Sequence, residues 1–332
     1  MSGADGRYDA LAQQLGSRAT RRASLGPLTT YGVGGPAALL VEIEGPDDLD
    51  QVRAVLAGSD AAVCVVGRGS NLLVADAGFD GVAVHLGRGF ASVQLPPPAG
   101  PTAADDDGST PFLVCAGAAA PLPVLARQAA DAGWAGLTWA VGVPGSVGGA
   151  VRMNAGGHGS DMAACLHRYR WVDLVSEEEG TDGVARLRYG YRSSSVIATQ
   201  LVLSADLMVT PADAAAEQAE VSAIVRWRRD HQPGGANAGS VFTNPEGDSA
   251  GRLIEAAGLK GFRLGTARVS EKHANFIQAD KGGRADDVRA LMDHVGATVR
   301  ARSGVALTAE VRLLGFAEGE TGAVASTPVH RR

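Results

Sequence analysis

Residues 142–159, GVPGSVGGAVRMNAGGHG, crowd seven glycines into eighteen positions, with Pro144 stiffening the first turn and Asn154 near the end. Glycine loses the most backbone entropy on folding, so this density marks left-handed turns or backbone pressed against a flat ring or a pyrophosphate. The residues alone allow a tight loop between core elements equally well. VVGRGSNLL (65–73) runs a strand into Gly67, Gly69, Ser70 and Asn71, where successive N–H groups could form an anion nest. It is not a dinucleotide fingerprint, because Leu72 stands where the third glycine belongs. YGYRSSS (189–195) sets Arg192, a rigid fork for carboxylate or phosphate, among hydroxyls; the plain alternative is a solvated arginine. In ANAGSVFTNP (236–245), Ser240 sits between Gly239 and an apolar pair, so its hydroxyl is either buried and satisfied or presented to a ligand. There is no G-x-S-x-G elbow, which disfavours a hydrolase. Glu271, Lys272 and His273 precede an apolar strand, with His273 open as a general acid or a core-edge histidine. Glu310 lies opposite the core residues of the last strand, as a solvated carboxylate or an acid aimed into a cleft.

Composition narrows the classes. A net charge of −6, with no basic stripe, argues against nucleic acid or an anionic membrane as partner. Cys64, Cys115 and Cys165 are far apart and odd in number, so neither a disulfide framework nor a thiolate zinc site is expected. The seven histidines lack metal-ligand spacing, and no metal is expected. The start of the chain has no apolar signal core, and the apolar run 111–126 is broken by prolines and a glycine, so a soluble cytoplasmic protein is expected; a monomer is expected too, though not on these grounds.

The elements that must position these residues follow from pattern. Residues 1–24 read as a flexible leader. A glycine turn and strand fill 29–43; Pro46 and two acids open a helix through about Leu56. Strands follow in 61–74 and 82–87, a solvated loop over 95–111, and a helix over 121–133. Residues 166–175 and 184–192 suggest a hairpin with the acidic tip SEEEGTDG, and strand 200–209 ends at Pro211. Alanine-rich 211–231 reads as helix, as do 248–258 and 284–303, the last stopped by Gly304. VALTAEVRL (305–313) alternates as a strand. The composition shift near 211 places a division there, and 317–332 reads as a disordered tail.

In order and spacing, TTYGVGGP (29–36), GRGSNLL (67–73), GVPGSVGGAVRMNAG (142–156), YRSS (191–194), GSVFTNP (239–245), EAAGLKGFRLGTARVSEKHANF (255–276) and LTAEV (307–311) resemble the UDP-N-acetylenolpyruvoylglucosamine reductase family. The resemblance covers about residues 25–315. It implies an α+β architecture: a PCMH-type FAD-binding region of two α+β subdomains over 25–210, of the vanillyl-alcohol oxidase type, then a C-terminal α+β substrate-binding domain over 211–316.

The resemblance also implies the chemistry. FAD would be lined by Gly67, Gly69, Ser70, Asn71 and Leu72 and by Gly142, Pro144, Gly145, Ser146, Gly149, Ala150 and Asn154. NADPH would reduce the flavin, and UDP-N-acetylglucosamine enolpyruvate would then accept hydride from flavin N5 at its methylene carbon, giving UDP-N-acetylmuramate for peptidoglycan synthesis. Arg192 and Glu310 would stabilise the enolate-like intermediate, Glu310 as a protonated acid, and Ser240 would deliver the proton. Tyr191, Asn244 and Lys260 are the implied substrate contacts, with Arg228 or Arg229 at the diphosphate. Two departures stand out. Thr243 occupies a position where the family often has a basic residue, and the short Arg192–Ser240 interval points to the branch without a tyrosine-bearing flap. Another flavin oxidase of the superfamily would not explain Ser240, Lys260 and Glu310 together. A non-catalytic UDP-sugar binder would have lost one of Arg192, Ser240 or Glu310.

Overall fold

The structure, a computed structural model, describes residues 3–97 and 112–316. The tail 317–332 and most of the proline-rich acidic loop, from 98 to 111, lie outside the described residues. The chain forms two compact units, each discontinuous in sequence. The first comprises the chain up to Ala19, Val41–Gly67 and Val84–Arg228; the second comprises Thr20–Leu40, Arg68–Ala83 and the chain from Arg229 onward. Both mix helices with sheet, so the fold is α+β. A single division near 211 therefore differs from what is observed. The chain changes unit inside the strands Ala37–Ile43 and Phe79–Leu86. A crossing inside a strand leaves no Gly/Pro-rich linker to read.

The first unit is built on an antiparallel sheet centred on Gln200–Pro211. That strand pairs on one side with Leu166–Asp173 and on the other with Phe112–Gly117. Glu179–Gly183 and Val93–Gln94 form the edges. The helix Leu122–Asp131 buries Leu122, Leu125, Ala126, Ala129 and Ala130, a single stripe at helical spacing. Residues 3–15, expected within a flexible leader, are instead the helix Gly3–Leu15, which packs on Pro46–Leu56. Tyr8, Leu11 and Leu15 are buried there. Arg18 bonds Asp48 and Arg7 bonds Asp60, so the polar residues that made this segment look loose are its anchors.

The hairpin expected at 166–192 forms differently. The second strand is Glu179–Gly183, inside the presumed tip, and Val184–Leu187 is a 3-10 turn. The acids are neutralised in place: Arg53 pairs with Glu179 at 2.8 Å, while Trp171 Nε1 at 2.6 Å and Arg186 at 3.1 Å meet Asp182. Part of the segment expected as an acidic hairpin tip thus becomes an edge strand.

The second unit packs the helices Ala250–Ala256 and Ala285–Ser303 with an antiparallel three-stranded sheet of Arg263–Leu264, Ala267–Val269 and Ile277–Ala279. Val288, Leu291, Met292, Val295 and Val299 are buried in one core with Tyr31, Val33 and Leu73 from the early part of the chain. Each such side chain contributes roughly 1.5–3 kcal/mol before ordering costs. Gly304, at φ 75°, ends the long helix in the left-handed conformation that glycine accommodates. Its start is tied by Asp76, which accepts the N–H groups of Ala285 at 2.9 Å and Asp286 at 3.3 Å. The alternation expected over 305–313 holds as burial of Leu307, Ala309 and Val311. Only Arg312–Leu314 is regular strand, paired in parallel with Leu72–Val74.

Candidate active site

In the first unit, Thr138–Gly142 is a 3-10 turn and Val147–Met153 a short helix, so the glycine-rich stretch is a loop between two helical turns. Its backbone is committed inward. The N–H of Leu122 donates to Gly145 O at 2.9 Å, and those of Val147 and Gly148 donate to Ala120 O and Ala118 O at 3.0 and 2.9 Å. These bonds tie the stretch to the segment 118–122. A Cβ on Gly67 would lie 2.7 Å from Ser146 Oγ, so glycine lets the two segments touch. At Gly149 a Cβ would meet only Ser146 Oγ, at 3.5 Å, and otherwise enter open space. Asn154 is buried and left-handed at φ 42°. Its side chain donates to Gly190 O at 3.2 Å and accepts from Ala163 N at 3.0 Å, so it fastens the loop from behind.

Arg192 sits at the end of a tight turn in which Gly190 and Ser193 exchange N–H···O bonds of 3.1 and 3.3 Å. Its φ is 53°, a conformation that costs a non-glycine residue about 1–2 kcal/mol. The guanidinium is held by Gly156 O at 2.7 Å and Asn154 O at 3.4 Å, which fixes the arginine against the glycine loop. Tyr191 is 60 % exposed, its ring 5.0 Å from that guanidinium. Pro144, Gly142 and Ala150 belong to the same loop, where a Cβ at Gly142 would meet His158 Cδ2 at 2.7 Å. His158 lies edge-on to Trp227 at 5.2 Å, and burial, then the Arg228 charge, lowers its pKa.

In the second unit, Gly69 at φ 57° presses on residue 28, with a Cβ placed 2.2 Å from Leu28 O. Only glycine fits there. The following residues lock the serine and glutamate segments together. Asn71 Nδ2 donates to Glu310 O at 3.1 Å, and Asn71 O accepts from Arg312 N at 3.0 Å. The N–H of Glu310 donates to Val241 O at 2.8 Å. Ser240 is therefore one residue from the point where Glu310 is pinned. Its hydroxyl makes no hydrogen bond within this unit among the described residues. Leu72 begins the strand paired with Arg312, and Ser70 completes the loop.

Other expected contacts have structural duties. Asn244 accepts the N–H of Ala250 at 3.1 Å, at the start of a helix also capped by Ser249. Lys260 pairs with Glu255 at 3.0 Å on the surface. Arg229 is exposed beside Asp230 at 3.4 Å, in the second unit; Arg228 belongs to the first, with its pKa lowered by burial. His273 is half-buried, accepts from Asn275 N at 3.2 Å, and has its pKa lowered chiefly by burial.

The C-terminal domain of UDP-N-acetylenolpyruvoylglucosamine reductase matches residues 231–314, and an FAD binding domain matches 37–181. UDP-N-acetylenolpyruvoylglucosamine reductase 2 of Symbiobacterium thermophilum is 42 % identical over 292 residues, covering 86 % of this chain and 89 % of the relative. The reductase of Heliobacterium modesticaldum is 40 % identical over 312 residues, covering 92 % and 93 %. The chain belongs to this reductase family. A crystal structure of the UDP-N-acetylenolpyruvylglucosamine reductase from Thermus caldophilus superposes with a TM-score of 0.73 at 32 % identity, over 89 % of this chain and 98 % of that one.

As a member of the reductase family the chain is an oxidoreductase with an FAD-binding domain. The residues present suit the cofactor: bare backbone at Gly149 faces open space, and buried Trp139, just upstream, keeps an indole N–H with no partner among the described residues. Asn275 escaped the sequence reading. It is buried, accepts from Phe242 N at 3.0 Å, donates to Phe242 O at 2.8 Å, and receives Val241 N on its own carbonyl at 2.9 Å. A polar residue inside the apolar run ANFI was the available signal. Among the described residues no group of side chains could hold a metal.

Proposed function

We propose that the chain reduces UDP-N-acetylglucosamine enolpyruvate to UDP-N-acetylmuramate for peptidoglycan precursor synthesis, with NADPH as reductant. The observation that carries this reading is the junction at Val241. There Asn71, Glu310 and the Ser240 segment are hydrogen-bonded together, and the Ser240 hydroxyl makes no hydrogen bond within this unit among the described residues. FAD, when bound, supplies the hydride it has received from NADPH. The chain's own residues handle the rest of the charge. Reduction of the double bond needs a hydride at the methylene carbon and a proton at its neighbour. Ser240 gives that proton: a serine hydroxyl is a poor acid at rest, but a carbanion within hydrogen-bond reach is basic enough to take it.

Glu310 and Arg192 act on the substrate carboxylate, where negative charge grows. A fixed guanidinium needs no reorganisation as that charge appears, which supports the role of an arginine already strapped to the glycine loop. Tyr191, Asn244 and Lys260 are proposed to meet the substrate as well, with Arg228 or Arg229 near the diphosphate. Asn244 and Lys260 would then serve alongside their present partners. Among the described residues no helix is long and apolar enough to cross a membrane. Three free thiols suit the reducing cytoplasm we assign.

The test is a visible spectrum followed anaerobically. The flavin band should bleach with NADPH and return on adding UDP-N-acetylglucosamine enolpyruvate. A band that bleaches and ignores that substrate would refute this assignment in favour of another flavin oxidoreductase.

A further inference from the structure

The second unit carries a pocket of about 410 Å³ that the proposed chemistry does not use. Its wall is the outer face of the antiparallel pair Ala267–Val269 and Ile277–Ala279. The register sets Arg268 directly opposite Gln278, both turned away from the core that holds Ala267, Val269, Ile277 and Ala279. Gln278 is already placed, donating to Gly234 O at 2.7 Å. Asp280 is the carboxylate of the lining, and it is consumed: Arg263 grips both its oxygens, at 2.6 and 3.1 Å. Arg263 chiefly, and Arg268 to a smaller degree, hold that carboxyl below its usual range. Arg268 and Lys281 form no ion pair among the described residues. Tyr31 also lines the pocket, its ring almost wholly buried and its hydroxyl beside the Ala238 backbone. Beyond Gly282 the space is open.

In a chain of net charge −6, Arg268 and Lys281, neither in an ion pair among the described residues, beside an acid already gripped by Arg263 make a local site for an anion. The volume lies in the range of small-molecule sites. We infer that this pocket binds a phosphate monoester the size of a nucleoside monophosphate, its phosphate held by Arg268 and Lys281 and its remainder beside Gln278 and Tyr31. This site is separate from the proposed turnover and goes beyond it.

The experiment is isothermal titration of the FAD-loaded protein with UMP and, separately, with inorganic phosphate. Saturable UMP binding that weakens with salt is expected, with phosphate weaker. Arg268→Ala together with Lys281→Ala should lower UMP affinity about tenfold or more, the scale of losing charge-assisted bonds, and leave turnover within twofold. Lys281→Glu, at an exposed position, should act alone in the same direction. The inference is overturned by absence of saturable UMP binding at millimolar concentration, by equal affinity in the double variant, or by phosphate binding as tightly as UMP. Displacement of UMP by UDP-N-acetylglucosamine enolpyruvate would also overturn it, since the ligand would then occupy the substrate subsite. The titration does not depend on turnover, so failure of the reductase reading would leave its outcome readable.

Discussion

Two regions of the molecule handle glycine, side chains and hydrogen bonds in opposite ways. Around 142–159 the backbone is bonded into its surroundings and seven positions are glycine, so what is left facing open space at Gly149 is bare main chain. Around 239–245 and 307–311 the backbone is bonded too, but buried Asn275 and part-buried Asn71 do part of the work and hold Ser240 and Glu310 in place. The first region can tolerate little added bulk at Gly142, Gly148 and Gly156; the second can tolerate little lost polarity. Shape is encoded in one by what is missing, and in the other by what is present.

The largest expected effect breaks the second region. Ser240→Ala should lower kcat about 10²–10⁴-fold, the range for a positioned proton donor, while flavin content and its bleaching by NADPH stay normal. Stopped-flow of the two half-reactions checks it, and normal turnover would remove Ser240 from the chemistry. Next, Asn275→Leu should cost about 2–4 kcal/mol, because the buried N–H and C=O of Phe242 both lose their partner. Denaturant melts measure that loss, and a change under about 0.5 kcal/mol would show that water or relaxation replaces the bonds.

The first region predicts a smaller, reversible effect. Gly67→Ala should force Ser146 out of its rotamer at a cost of about 1 kcal/mol, with a severalfold loss of flavin affinity. Adding Ser146→Gly should restore it, and a double variant no better than the single one would locate the fault elsewhere. The smallest effect lies in the acid limb of stability. Asp287 accepts the hydroxyl of Thr266 at 2.7 Å and its N–H at 2.8 Å, which holds its carboxyl below the usual range. A depressed pKa adds stability above the unfolded value and loses it as pH falls through the folded one, so the loss should run from about pH 4 downward. Asp287→Asn should flatten that limb in thermal melts; an unchanged slope would show that other carboxylates dominate.

Local order was readable wherever one residue decided it. Pro46 opens its helix because its ring fixes φ, and Gly304 closes the last one because it takes a left-handed φ without a Cβ clash. The stripe on Ala285–Ser303 was plain because five buried side chains repeat at helical spacing. Charge misled twice. Arg7 and Arg18 made the N-terminal residues look solvated, and Glu179 with Asp182 made a strand look like a loop tip; in each case the partner, Asp60, Asp48, Arg53 or Arg186, is distant or out of pattern. The roles of Asn154 and Asn71 were only half visible. Their types suggest a ligand, but their hydrogen bonds to Gly190 and Glu310 join residues far apart in the chain, which spacing does not reveal.

The shared core of Tyr31, Val33 and Leu73 with helix Ala285–Ser303 has a consequence for how the protein is made. These early residues leave the ribosome long before the helix they pack against, and all of Val84–Arg228 is synthesised in between. At bacterial or eukaryotic elongation speeds that interval is on the order of 10 s. Through it, a half-finished apolar surface waits for its other half, which leaves the nascent chain open to aggregation until the helix arrives.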